Sequence, residues 1–492
     1  MGETSLKDKT INGVAWETTN KVISFAVHFV VSIILARLLS PDDYGLIGII
    51  MIFITIADCI TISGFFSSLI QKKDANADDY NTMFISNMVS SSVLYLVLFF
   101  GAPLISHFFE RPELVNLIRV QSTVLIISAF ALVQRARFLK NMDFKTPTKI
   151  TIISSIFSGV FGITLAFCGF GVWALVYSNV ASSILSTILN CVFSHWMPKI
   201  HFSLKSFKEL FGYGWKILIA ELFDTIWMQL NQMVVGKYYS PATLGQYSRG
   251  KGFVDLFATN IYNVTRSVTF SALSQIQDEK DRTRMAFRKM IKLLIFATAI
   301  CCFGVAAVGK SMVLVLIGEK WLPSVAFLQI LCFGSLLYPI NATNMNLLKS
   351  QGRSDLYLIL SIIRRILELG PIFIGIFVDI YWMVIGGVIT NWIGFFMYSH
   401  FAGKHINYTS RQQFLDLLPS LGMATAMAVP VWLMSFLSIT PFILFPLQLI
   451  VGAGIVIGLG ELTKIEEYVE AKSILMSTIN KIKYKSQIRR HE

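Results

Sequence analysis

Arg364, Arg365 and Glu368 stand inside the apolar run ILSIIRRILELGPIFIG, residues 358–374. On a helix Glu368 lies within reach of either base, four residues from Arg364 and three from Arg365, so it can neutralise one and leave a surplus positive charge. Arginine keeps its proton when partly desolvated, and its planar donors grip phosphate oxygens in pairs. The surplus therefore suits an anionic, phosphate-bearing ligand. The structural alternative pairs one arginine with Glu368 and lets the other reach towards the interface or bond carbonyls. Gly370-Pro371 follows at once, removing a backbone donor and predicting a loosened helix at that depth.

Other ionisable residues occupy comparable runs. Glu17 and Lys21, four apart, form a pair that can satisfy itself. Glu221 and Asp224 are three apart with no base beside them, and two neighbouring carboxylates repel when both are ionised. One would then carry a coupling proton, or both would hold a sodium ion. Asp58 and Asp255 suit either ion coupling or pairing with the arginines, while Lys216, Arg249 and Lys251 join Lys21 among the candidate cations. Trp227, Asn231 and Tyr262 offer the rings, amide and hydroxyl that contact sugars, which is equally the chemistry of packing or interfacial residues.

Catalysis finds less support. No acid and base cluster at a span end, no phosphate-binding G-x-x-x-x-G-K-[ST] loop is present, and the six cysteines fall in or beside apolar runs without metal spacing. They read as small hydrophobes.

The elements that must position these groups are membrane spans. Of 492 residues 54% are hydrophobic and 14% charged, with a mean hydropathy of +0.63, and runs of about 20 apolar residues, enough for one helical crossing, recur throughout. The sequence predicts an all-α integral membrane protein of about fourteen spans, at 10–39, 44–70, 80–107, 114–134, 149–168, 171–194, 211–236, 245–272, 287–309, 323–346, 355–378, 381–401, 413–437 and 441–460. MGETSLKDKT leads into the first span without a cleavage signal, so that span is expected to stay. With the N-terminus cytoplasmic, inner loops and termini carry about 29 Lys and Arg and outer loops about 5. The net charge of +13 is thus topological and does not mark a nucleic-acid surface.

The basic segments RARFLKNMDFKTPTK and DEKDRTRMAFRK read as inner loops. No outer connection exceeds about 15 residues, which leaves no room outside for a further domain. After the last span, Tyr468, Leu475, Ile479 and Ile482 recur at helical intervals in a tail that begins acidic and ends basic. This predicts a surface helix on the cytoplasmic leaflet.

The chain also repeats itself. LLSPDDYG (38–45) returns as YYSPATLG (238–245), and GVAW ending at Trp16 as GYGW ending at Trp215. Glu110-Arg111, Leu139-Lys140 and Trp173 recur as Glu319-Lys320, Leu348-Lys349 and Trp382, each 209 residues on. Six spans thus repeat as six, and an even number per repeat makes the two copies parallel, related by an axis along the membrane normal. The expected organisation is an N-lobe, 1–197, a C-lobe, 198–408, two further spans, 409–460, and the basic tail, 461–492.

Lys21, Asp58, Glu221, Asp224, Asp255, Arg364, Arg365 and Glu368 fall nearest the bilayer middle. At about 3 kcal/mol each facing lipid, they would cost roughly 24 kcal/mol, more than the roughly 5–15 kcal/mol a fold has to spare. They must pair or line water. Most lie on spans 1, 2, 7, 8 and 11, which are therefore expected to surround a central cavity between the lobes, as alternating access requires.

Three segments carry a family resemblance: ILARLLSPDDYGLIGI, RARFLKNMDFK and GEKWLP. With them the whole chain resembles the polysaccharide exporters of the multidrug/oligosaccharidyl-lipid/polysaccharide superfamily, nearest the Wzx-type flippases of the colanic-acid-exporter-like branch. The resemblance implies a V-shaped bundle with a cationic cavity in a bacterial inner membrane, both termini cytoplasmic. It implies export of an undecaprenyl-diphosphate-linked oligosaccharide to the periplasmic leaflet, driven by a proton or sodium gradient without a bound cofactor. Partners implied are membrane lipids, a polysaccharide polymerase and a chain-length regulator. The motifs lie at span ends and shape the fold, so they do not assign the cavity residues. A multidrug or cation antiporter of the same architecture is the nearest alternative, which the arginines disfavour. A membrane polymerase or glycosyltransferase is the alternative from another class.

Overall fold

The computed structural model describes residues 26–276, 279–473 and 476–477. Among them the regular secondary structure is entirely helical. In chain order it comprises α1 (Ala26–Leu38), then α2 (Pro41–Gln71), α3 (Ala77–Phe109), α4 (Leu114–Gln121), α5 (Thr123–Lys140), α6 (Lys145–Phe167), α7 (Val172–Ser194) and α8 (Leu204–Tyr238). The second half holds α9 (Pro241–Gln275), α10 (Lys280–Leu316), α11 (Ser324–Ser335), α12 (Tyr338–Ser350), α13 (Ser354–Phe377), α14 (Ile380–His405), α15 (Ser410–Leu433) and α16 (Pro441–Thr463).

Ten spans among the described residues are long and apolar enough to cross a membrane, and α4 with α5, and α11 with α12, each form one of them. The protein is a multi-pass membrane protein. Three long helices fall outside that set: α8, α9 and α13, of 35, 35 and 24 residues. Their length suffices for a crossing. They are also the helices that carry Lys216, Glu221, Asp224, Arg249, Lys251, Asp255, Arg364, Arg365 and Glu368.

Helices extend beyond the apolar runs that announce them. The segments read as basic inner loops are largely helical: α5 continues to Lys140, and α10 starts at Lys280, leaving Asn141–Phe144 as the connection to α6. Arginine and lysine are good helix formers, so a helix need not end where its hydropathy does. Arg137 shows how such an extension is held, with its guanidinium near the rings of Tyr80 and Trp196.

Packing divides the chain into two compact units, Met1–Gly245 and Gln246–Glu492. The division falls after α8, later than the sequence repeat boundary at 197, because α8 lies along α2. Their backbones meet at small residues: a Cβ on Gly214 would fall 2.5 Å from the Gly64 carbonyl oxygen, and the Ser68 hydroxyl donates to the Leu210 carbonyl at 2.8 Å. Close backbone approach supplies in lipid the packing that hydrophobicity cannot.

The repeated Ser-Pro-x-x-x-Gly has a structural reason in the first unit. Ser40 caps α2, accepting from the Asp43 amide while the Asp43 carboxylate accepts from the Ser40 amide, and Pro41 takes the first helical position. Ser240 likewise accepts from the Thr243 amide. The glycines then face each other's prolines: a Cβ on Gly45 would lie 1.8 Å from the Pro241 oxygen, and one on Gly245 would lie 2.0 Å from the Pro41 oxygen. The two motifs form one reciprocal contact, which only glycine permits.

In the second unit, a core built on Phe287, Ile291, Ile340, Phe395, Tyr408 and Leu417 joins α10, α12, α14 and α15. Beside it the described start of the tail docks on α10. Glu470 pairs with Lys289, and Glu466 with Lys292 at 2.7 Å. The Lys292 hydrogen bond holds the Glu466 carboxyl below the usual carboxylate range. Residues 466–473, including Tyr468, are helical, while Leu475, Ile479 and Ile482 of the tail pattern lie outside the described residues.

Gly45→Ala and Gly245→Ala are expected to destabilise the purified protein by roughly 1–3 kcal/mol through overpacking. Gly101→Ala, where a Cβ meets nothing within 4 Å, is expected to be neutral or slightly stabilising. Thermal unfolding of the three variants decides this: equal midpoints would dissolve the reciprocal contact as an explanation of the repeated motif.

Candidate functional site

α13 presents its charges on successive turns. Arg364 Nε donates to Glu368 Oε1 at 2.8 Å, one helical turn along, and Arg364 Nη2 donates to Asn391 Oδ1 of α14 at 2.7 Å. The acid reachable from both bases is thus engaged by Arg364, and a neighbouring amide fixes the other end of that guanidinium. Arg365 is half-buried. The helix runs unbroken through Gly370-Pro371, against the expected loosening. Pro371 is buried, and Gly386 of α14 accommodates its ring: a Cβ there would fall 3.1 Å from the Pro371 Cγ.

On α9, Lys251 Nζ pairs with Asp255 Oδ2 at 2.7 Å, so a candidate ligand for anions and a candidate for ion coupling neutralise one another. The Arg249 guanidinium lies 5.6 Å from the centre of the Trp321 ring. Tyr262 lies within α9, and its side chain lies outside the described residues, as do Glu17 and Lys21.

α8 differs in kind. Lys216, Glu221, Asp224 and Asn231 are exposed and Trp227 half-buried, its ring 6.0 Å from that of Phe223. Neither Lys216 nor Glu221 has a hydrogen-bond or ion-pair partner among the described residues. Exposure at these positions is tolerable in a membrane only where water reaches them.

Asp58 of α2 is half-buried and lies in the field of Arg135, whose Nη2 donates to Ser186 Oγ of α7 at 3.2 Å. The base facing Asp58 is therefore in the first unit, contributed by α5. Arg135 was absent from the sequence candidates because RARFLK reads as a loop; the helical continuation from Thr123 was the available signal. Asn391 was also missed, a single amide in the apolar run GGVITNWIGF, with nothing in its spacing to link it to Arg364.

The sequence-predicted residues accordingly fall into three settings. Arg364 with Glu368, and Lys251 with Asp255, are paired within a helix. Asp58 is answered across helices by Arg135. Lys216, Glu221 and Asp224 face outward from α8. Lys216 and Glu221 have no ion-pair partner among the described residues, so they can take a charged ligand without first breaking one. Among the described residues no group of His, Cys, Asp and Glu could hold a metal ion.

Comparison with known proteins gives this arrangement a context. The profile of a family described as "Polysaccharide biosynthesis protein" matches residues 34–326. Among curated sequences, the lipopolysaccharide biosynthesis protein WzxC of Escherichia coli is 24% identical over 75% of this chain and 76% of its own length. The succinoglycan biosynthesis transport protein ExoT of Rhizobium meliloti is 23% identical over 75% and 74%. Among solved structures, the lipid II flippase MurJ in an inward closed conformation shares the fold, with a TM-score of 0.70, 14% identity, and coverage of 92% of this chain and 98% of that one.

Arg364→Ala is expected to lower stability by about 2–3 kcal/mol, reduced from the roughly 3–5 kcal/mol of a fully buried pair because both partners keep some exposure. The double variant Arg364→Met, Glu368→Leu should recover most of the loss in thermal unfolding. An unchanged midpoint in Arg364→Ala would show that the ion pair does not support α13.

Proposed function

The chain belongs to the polysaccharide biosynthesis protein family, and we propose that it is a flippase that turns a lipid-diphosphate-linked glycan from one membrane leaflet to the other. It is a transport protein and not an enzyme, which sets aside the polymerase and glycosyltransferase readings. Transport names among its relatives and the flippase fold support the reading. The single observation that carries it within this chain is Lys216, an exposed cation on a membrane-length helix with no partner among the described residues.

The proposed substrate is an undecaprenyl-diphosphate-linked oligosaccharide, moved outward across a bacterial inner membrane with both termini cytoplasmic. The excess of basic residues on the loops assigned to the inside supports that orientation. Lys216 would meet the diphosphate, whereas Arg364 is held in its own frame by Glu368 and Asn391. Trp227 and Asn231, on the same helix as Lys216, would contact sugars, and the lipid tail would stay in the bilayer. The two sequence repeats would act as lobes that expose this site alternately to the two faces. A polymerase and a chain-length regulator would receive the product.

A proton or sodium gradient is the proposed drive, with Glu221 and Asp224 as coupling groups. Exposed Glu221, without a partner among the described residues, also favours the second reading, a cation antiporter, because a carboxylate in water attracts cations.

In a cell lacking its own flippase, the wild-type chain should restore surface polysaccharide, and the Lys216→Gln variant should lower that by about tenfold or more at equal protein level. Full restoration by that variant would remove the phosphate role, whereas export of a cationic dye but no glycan-lipid from reconstituted vesicles would establish the antiporter. In the same vesicles the Glu221→Gln, Asp224→Asn variant is expected to lose its response to an imposed proton or sodium gradient. An unaltered response would exclude those carboxylates from coupling.

A further inference from the structure

A cavity of about 350 Å³ opens in the second unit, lined by the C-terminal part of α10, the start of α11 and the turn after α15. Lys310, Gln329, Trp432, Ser435 and Phe436 contribute its chemistry. Lys310, six residues before the end of α10, is exposed and has no hydrogen-bond or ion-pair partner among the described residues. Trp432 and Phe436 meet edge to face with centroids 4.9 Å apart, and both are exposed.

Behind the cavity a buried amide sets the direction of a hydroxyl. Gln448 of α16 is 1% exposed. Its oxygen accepts from Ser311 Oγ, and its Nε2 donates to the Val431 carbonyl at 2.8 Å and to Ser435 Oγ at 3.0 Å. Because Ser435 Oγ already accepts, its own proton points elsewhere, and no described residue receives it. Gln329 Nε2 is taken by the Ala306 carbonyl at 3.1 Å. The Lys310 ammonium is the charged donor of the cavity and the oriented Ser435 hydroxyl stands with it, with two aromatic walls beside them.

We propose that this cavity binds the phosphate of an anionic membrane phospholipid, its oxygens on Lys310 and Ser435 and its glycerol and first acyl carbons along Trp432 and Phe436. An ammonium and a hydroxyl are the donors that phosphate oxygens accept from. Tryptophan at a helix end marks the headgroup level of a bilayer. A free inorganic phosphate would leave the rim of Trp432, Leu433, Phe436 and Leu437, all exposed, without contact, so the lipid is the source that uses the whole site. The cavity volume lies at the small end of ligand pockets and fits a headgroup rather than a whole lipid. On the orientation proposed above, the lipid belongs to the outer leaflet, and none of the residues lining its site is among those proposed to meet the glycan-lipid.

Native mass spectrometry of the full chain, exchanged from detergent into mixtures of phosphatidylglycerol and phosphatidylcholine, tests this. The wild type should retain phosphatidylglycerol in preference to phosphatidylcholine. Lys310→Gln and Ser435→Ala should each lower that retention by about tenfold, the weight of one charge-assisted hydrogen bond, and Lys310→Arg should keep it. Lys310→Gln should leave the unfolding midpoint in lipid-free detergent unchanged, so a loss of binding is not a loss of fold. Equal retention by wild type and Lys310→Gln would reduce Lys310 to a side chain reaching for the interface and overturn the site. Displacement of the lipid by inorganic phosphate at equal concentration would also overturn the assignment, in favour of a free anion.

Discussion

A charge placed where the membrane excludes water must be answered, and the answers available to this chain organise its structure. The helices that depart from plain apolar composition, α8, α9 and α13, carry most of the charges within the spans. Two of the answers cost nothing beyond the helix itself: Lys251–Asp255 and Arg364–Glu368 each close across a single turn. A third is tertiary, with Arg135 of α5 facing Asp58 of α2 while Ser186 of α7 holds the guanidinium. The fourth is exposure on α8, stable only beside water.

The same absence of a hydrophobic drive between helices explains the small residues. In a bilayer, apolar side chains gain little by leaving lipid, so helices hold together through close approach and shared polar groups. Gly64, Gly214 and Ser68 let α2 and α8 meet backbone to backbone. The Ser-Pro-x-x-x-Gly motif combines three such requirements: a hydroxyl to cap the helix, a ring preset for its first turn, and a missing Cβ where the other copy's carbonyl approaches. That combination is why the repeat is readable at all.

The fold was legible because apolar runs, helix caps and the internal repeat are all local properties of the chain. Helix ends were less so: hydropathy stops at the membrane, while α5 and α10 continue as charged helices stabilised by good helix formers and by contacts such as Arg137 with Tyr80 and Trp196. Gly370-Pro371 misled in the opposite sense, since a glycine on the facing helix makes room for the ring. At the site, the spacing showed that Glu368 could reach Arg364, but the second bond of that guanidinium goes to Asn391, 27 residues away. Gln448 was hidden for the same reason: its partners lie on other helices and carry no periodic signature.

A group that must bind and release a charged cargo cannot be permanently neutralised by its own frame. Arg364 is so neutralised, and its second bond to Asn391 would have to break before it could offer both donor edges to phosphate. Removing a buried ion-pair partner costs several kcal/mol, which a substrate would have to return in full. Lys216 has no such debt, because its ammonium is exposed and without a partner among the described residues. Binding a diphosphate there would replace water by oxygen ligands and break no ion pair among the described residues. The division of labour follows from that difference: α13 uses Arg364 to hold itself to α14, and Lys216 of α8 is the charge the described fold leaves for cargo.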